Sequence, residues 1–131
     1  MTVLFACTHN AGRSQMAAAL FNRAAHGRAT ALSAGTQPAD SIHPVVRQAL
    51  LEIGIDVGTT QPRLLTDDLA RQADLLVTMG CGESCPVVPG LRRKDWPLDD
   101  PKDKPLEQVR QIRDEIARRV SALVAELGLS Q

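Results

Sequence analysis

Near the N-terminus a cysteine and an arginine stand six positions apart, in Cys7-Thr8-His9-Asn10-Ala11-Gly12-Arg13-Ser14. The apolar run 3–6 precedes this segment and a helical pattern follows it, so the loop sits at a strand-to-helix junction. Backbone N–H groups in such a loop can wrap an oxyanion at the positive end of the helix dipole. Arg13 can grip two oxygens of a tetrahedral anion through its planar fork. The same field favours a thiolate at Cys7 and makes it a nucleophile. Gly12 lets the backbone approach closely. The plainer reading is a small buried cysteine ahead of an ordinary helix start. A Cys-to-Arg spacing alone arises often by chance, but with Ser14 following it at such a junction it is far more specific.

Two more cysteines, Cys81 and Cys85, lie in a Gly- and Pro-containing loop. Three cysteines cannot pair completely and are too few for a disulfide framework. Cys81 and Cys85 read as redox partners of Cys7, as passive loop thiols, or as half of a metal site. C-x3-C without a nearby His or further Cys is a weak zinc signal. Farther on, Trp96-Pro97-Leu98-Asp99-Asp100-Pro101 sets two carboxylates side by side. Pro101 biases Asp100 toward extended backbone. Beside a Cys–Arg loop such an acid can serve as a proton donor; without the loop the segment reads as a surface turn.

These residues need a scaffold that gathers them. The run 3–6 reads as a buried strand. From Ser14, Met16/Ala17, Leu20/Phe21 and Ala24 recur at helical spacing, with Gly27 as a C-cap. Residues 30–33 form a second strand closed by Gly35. Val46, Ala49, Leu50 and Ile53 mark a helix with Pro44 in its first turn. Thr66 caps a short helix over 67–72. Residues 74–79 are the clearest buried strand, and 94–97 a short fourth one. Val109, Ile112, Ile116, Val120, Leu123 and Leu127 stripe a long last helix, whose Arg110, Arg113, Arg118 and Arg119 fall mostly on the solvated side. Strands alternating with helices predict an α/β fold with a parallel sheet, in one domain over 1–131. Ligands bind beyond the carboxyl ends of such strands, where Cys7, Cys81 and the Asp99/Asp100 pair all fall.

Fifteen Lys and Arg residues balance fifteen Asp and Glu, for a formal charge of zero. That removes the electrostatic case for a nucleic-acid or membrane partner. The aromatics are Phe5, Phe21 and Trp96, with no Tyr, so the core must be aliphatic and Ala-rich and ring stacking on a ligand is not expected. No run approaches the roughly 18 apolar residues of a membrane span. MTVLFAC lacks a basic start and a long apolar run, so the cytoplasm is the expected compartment. His9, His26 and His43 share no metal-ligand spacing; neither a metal nor another cofactor is expected, and the chain is expected to be a monomer.

The segments CTHNAGRSQMA, LSAGT, ADLLVTMGC and WPLDDP, in that order and spread over nearly the whole chain, resemble the low-molecular-weight protein tyrosine phosphatase superfamily. The resemblance is closer still to its bacterial arsenate reductase branch. It implies a four-stranded parallel sheet flanked by helices. It implies Cys7 as nucleophile, Arg13 as oxyanion binder, and Asp100 rather than Asp99 as general acid. Thr8, His9, Asn10, Ala11 and Gly12 correspond to the oxyanion loop, and Asn10, Ser14 and Ser33 to the hydrogen-bonding support of loop and thiolate.

For arsenate as substrate, the resemblance implies a relay that supplies two electrons from thiols. Cys7 attacks arsenic, Cys81 attacks Cys7 and releases arsenite, and Cys85 moves the oxidation to a Cys81–Cys85 disulfide that a thioredoxin-type dithiol protein reduces. The spacing between the last two cysteines is shorter than the commoner family spacing. On a helical turn, residues four apart hold Cβ atoms about 5–6 Å apart against roughly 3.8 Å in a disulfide, so that bond requires local unwinding, which Gly80 and Gly82 ease. Some such reductases hold a potassium ion near the loop with acidic residues; the matching positions here are Ala18 and Arg63, and Arg63 is expected to replace the ion in part. Three alternatives stay open: a phosphatase acting through Cys7 without Cys81 or Cys85, an arsenate reductase fed by a low-molecular-weight thiol, and a non-enzymatic module holding arsenite or a soft metal on its thiols. Scarce aromatics weigh against phosphotyrosine.

Overall fold

The computed structural model describes residues 1–80 and 89–129. Along them run β1 (Thr2–Cys7), α1 (Arg13–Ala25), β2 (Thr30–Gly35), α2 (Pro44–Leu51), α3 (Asp67–Arg71), β3 (Leu75–Thr78), β4 (Arg92–Asp95) and α4 (Leu106–Glu126). The strands form one parallel sheet in the order β2-β1-β3-β4. Both faces of its centre are covered, which is why β1 and β3 read as continuous apolar runs rather than alternating ones. Val3, Phe5 and Cys7 face α1, α2 and α4; Leu4 and Ala6 face Leu69 and Ala70 of α3.

Local chemistry explains the helices. The Ala-rich α1 carries Met16, Ala17, Leu20 and Phe21 on its buried side. Pro44 opens α2, where its missing N–H costs nothing. Thr66 Oγ1 accepts from Leu69 N–H at 3.1 Å, and Asp67 and Asp68 complement the dipole of α3. Val109, Ile112, Ile116, Val120 and Leu123 are the buried stripe of α4. The aromatics touch in one chain: Phe5 meets Phe21 edge to face at 5.9 Å and Trp96 at a tilt at 5.7 Å, centroid to centroid.

Two expectations are corrected. The fourth strand runs Arg92–Asp95 rather than 94–97; pairing Leu75 with Arg92 and Thr78 with Asp95 sets its position. As an edge strand of charged residues, it carries no apolar signal to mark its start. Arg113 is not on the solvated side of α4 but buried: Nη1 donates to Ala49 O at 2.8 Å and to Glu52 at 3.0 Å, fastening α4 to α2. Arg110 completes that cluster, and its hydrogen bonds hold the Glu52 carboxyl below its ordinary range. No helix among the described residues is long and apolar enough to cross a membrane.

Candidate active site

Cys7 ends β1, an interior strand, and the five residues after it lead into α1. Every carbonyl from Cys7 to Gly12 accepts a hydrogen bond. The donors are Thr36 N–H to Cys7 (3.2 Å), Gln37 to Thr8 (2.8 Å), Ala39 to His9 (2.9 Å), Gln15 Nε2 to Asn10 (3.0 Å), His43 to Ala11 (3.0 Å) and Met16 to Gly12 (3.0 Å). Across a trans peptide the N–H points opposite to the C=O, so anchoring the carbonyls leaves the amides facing the other way. The N–H groups of Thr8, His9, Ala11, Gly12 and Arg13 donate to no acceptor among the described residues. The exception within the loop is Asn10, whose N–H lies 3.3 Å from Cys7 Sγ.

The helix behind the loop strengthens this field. Unlike α3, α1 has no side-chain cap and no acid in its first turn, so the positive end of its dipole is left uncompensated. Gly35, opposite Cys7 in the sheet, allows the approach: a Cβ there would stand 2.6 Å from Thr8 O and 2.9 Å from Asn10 N.

Cys7 is buried, and its Sγ lies 2.9 Å from Ser14 Oγ. Asn10 takes the left-handed conformation (φ 50°) and its Nδ2 donates to Ser14 Oγ at 2.7 Å. With that acceptor site of Ser14 filled, the single hydroxyl proton is free for the sulfur. Cys7 Sγ thus lies beside two groups able to donate to it, the Asn10 N–H and the Ser14 hydroxyl.

Arg13 is buried beside it. Its Nη1 donates to Leu98 O at 3.0 Å, Nη2 lies 3.7 Å from Asp100 Oδ2, and the buried Nε has no partner among the described residues. Nε and Nη2 form one edge of the guanidinium, the edge suited to two oxygens of a tetrahedral anion. Asp100 is 41% exposed at its side chain and its Oδ1 accepts from Lys102 N–H at 3.0 Å. Pro101 packs on Gly12, where an added Cβ would lie 2.5 Å from its ring. Asp99 turns away, into a cavity with Lys104 and Gln108.

A family model for low molecular weight phosphotyrosine protein phosphatases matches residues 2–131. The chain belongs to that family. Among relatives of the family, a protein of Halobacterium salinarum named "Putative arsenate reductase" is 39% identical over 129 residues, covering 95% of this chain and 91% of the relative. A thioredoxin-dependent arsenate reductase of Corynebacterium glutamicum superposes with a TM-score of 0.86 at 43% identity. It covers 99% of this chain, which spans 63% of that longer one. An arsenate reductase from Archaeoglobus fulgidus superposes with a TM-score of 0.80 at 36% identity, over 94% of this chain and 98% of that one.

Within this family fold, Cys7, Asn10, Arg13, Ser14 and Asp100 are gathered at one sheet end, with Thr8, His9, Ala11 and Gly12 forming the loop. His9 Nδ1 lies 3.0 Å from Gln37 O. Ser33 is held differently from the rest: its carbonyl accepts from Arg63 Nε at 2.9 Å, and Arg63 N–H donates to Asn10 Oδ1 at 3.0 Å. Cys81 and Cys85 lie outside the described residues. Among those described, no cluster of His, Cys, Asp and Glu could hold a metal ion.

Three site residues escaped the sequence reading. Gln15 was hidden inside a helix pattern. Gly80 has φ +92°, and a Cβ there would collide with Arg13 Nη1. His43 lies against Gly12, and burial pushes its imidazole below the ordinary value, with Asp100 and Asp103 pulling it up and Lys102 and His9 pushing it down. The last two show no signal in a single sequence beyond a glycine and a proline-linked histidine.

Proposed function

We propose that this protein reduces arsenate to arsenite through a thiol relay, and that a thioredoxin-type dithiol protein restores it. The observation that carries this reading is the contact of Gly80 with Arg13. The residue bonded to Cys81 packs on the very group that would hold the oxyanion over Cys7. A hydrolase needs no thiol beyond Cys7. The relatives named as arsenate reductases support the same reading.

Arsenate sits on the free N–H groups and the Nε/Nη2 edge of Arg13. Cys7 Sγ bonds to As(V), and the displaced oxygen leaves as water, protonated by Asp100. Cys81 thiolate then attacks Cys7 Sγ. The S–As bond breaks with its electron pair kept by arsenic, now As(III), and a Cys7–Cys81 disulfide remains. Cys85 attacks Cys81, frees Cys7, and leaves a Cys81–Cys85 disulfide for the external dithiol. This chemistry fits a reducing cytoplasm and a single chain acting alone.

The test is arsenate turnover with thioredoxin, thioredoxin reductase and NADPH. Cys7→Ser should abolish all chemistry. Cys85→Ser should allow at most one turnover and trap Cys7 with Cys81, and continued cycling of that variant would sink the three-thiol relay. Hydrolysis of phosphate esters without arsenate reduction would instead establish a phosphatase. Against phosphotyrosine stands the use of all three aromatics in the core, which leaves no ring to sandwich a phenol.

A further inference from the structure

We propose that Gln15 is a positioning residue that sets the direction of the hydrogen bonds ending on Cys7; the proposal rests on Cys7 being the nucleophile. Gln15 lies in the first turn of α1, 3% exposed. Its Nε2 donates to Asn10 O at 3.0 Å and to Asn10 Oδ1 at 3.1 Å. Of the six loop carbonyls, Asn10's is the one held by a side chain; the others are held by backbone amides.

The direction follows from what each group can do. A backbone carbonyl only accepts, so Asn10 O forces Gln15 to present its nitrogen rather than its oxygen. That nitrogen and the Arg63 N–H, 3.0 Å away, are both donors, so they force the Asn10 amide to present Oδ1 to them. Nδ2 is thereby turned to Ser14 Oγ at 2.7 Å. Ser14 then has its proton left for Cys7 Sγ at 2.9 Å. Remove the Gln15 amide and Asn10 loses one of the two donors that fix its orientation, together with the anchor of its own left-handed backbone. The Arg63 amide alone cannot hold that carbonyl, because it reaches only Oδ1.

The experiment uses the full chain with Cys81→Ser and Cys85→Ser, so that Cys7 is the sole thiol. The readout is the alkylation rate of Cys7 by iodoacetamide, alongside melting temperature. Gln15→Met keeps length and removes the donor; it should slow alkylation about five- to tenfold, the loss of about one hydrogen bond. Gln15→Glu opposes an ionised carboxylate to two acceptor oxygens and should be slower still near neutral pH. Protonated, the same carboxyl donates. Its rate relative to the Met variant should therefore rise from about pH 8 to about pH 5, burial having raised the pKa of the introduced acid. A general loss of packing cannot produce that ratio. Wild-type rates in both variants, or a Glu-to-Met ratio flat with pH, would overturn the proposal. If Gln15→Met fails to fold, the Glu variant's own change of rate with pH, set against the Gln15 parent, decides. Absence of arsenate turnover in the wild-type chain, with these rates as expected, would remove the proposed function and leave the positioning role standing.

Discussion

Replacing Gly80 with alanine separates two costs that most glycine substitutions confound. The first is conformational. At φ +92° an L-residue is strained by about 1–2 kcal/mol, which lowers Tm by roughly 4–8 °C for a chain of this size. The second is a collision. The new Cβ would overlap Arg13 Nη1 and stand 3.1 Å from Cζ, whereas ordinary contact begins at 3.4 Å. The guanidinium must therefore move by roughly 1 Å, a displacement that can cost about 100-fold when it misaligns a reacting group. It also strips the 3.0 Å bond to Leu98 O. Gly54→Ala is the matched control, since Gly54 has φ +82° and nothing within 4 Å of its added Cβ. Both variants should lose stability by thermal melting. Gly80→Ala alone should lose about 100-fold in kcat/KM, or roughly 2.7 kcal/mol of transition-state stabilisation, in the thioredoxin-coupled arsenate assay. Arsenate should also protect its Cys7 more weakly against alkylation. If Gly80→Ala keeps kcat/KM within about twofold of Gly54→Ala, then Arg13 is not held by the packing described, and the link from Gly80 to the oxyanion fails with it.

Arg113→Ala should destabilise the fold by about 2–3 kcal/mol in urea unfolding, because Ala49 O and Glu52 lose a buried charged donor, with kcat unchanged. His43 is depressed from 6.5 by burial, Asp100 partly opposing; as pH falls below that value the unfolded chain takes up the proton first. The stability linked to His43 is therefore fully present above about pH 6.5 and lost below it, and His43→Asn should flatten that part of the urea-midpoint profile. Arg63→Ala frees Ser33 O from its 2.9 Å donor and should lower kcat/KM severalfold, while exchange of potassium for tetramethylammonium should leave the wild type unaffected. A loss of activity on that exchange would count against Arg63 as the ion's substitute.

What could be read from the chain was whatever declares itself by contrast. The 3–6 run stands out against the polar loop after it, the stripe of α4 against its charged flank, and the Cys–Arg spacing against the junction it straddles. Thr66 capped α3 as its side-chain chemistry requires. What stayed hidden depends on three-dimensional neighbours. Arg113 looks solvated because it is charged and stands beside the apolar stripe rather than on it; only the carbonyl of Ala49 and the carboxylate of Glu52 make its burial possible. β4 is set by its partner strand rather than by its own residues. Gln15 and Gly80 act through atoms five and 67 positions away, and neither residue type advertises a partner at such a distance. Four of the loop's six carbonyl anchors come from 36, 37, 39 and 43, a stretch whose sequence speaks only of turns.

The chain of contacting rings also furnishes an optical reporter. Trp96 is the sole tryptophan and sits at 7% exposure on Phe5. Phe5 lies two residues before Cys7, and Asp100 four residues after the indole. Strand and acid-bearing turn thus meet at one chromophore whose emission belongs to no other side chain. Any shift of β1 against that turn, whether an anion arrives or a sulfur is oxidised, perturbs its surroundings and can be followed in stopped flow without a label.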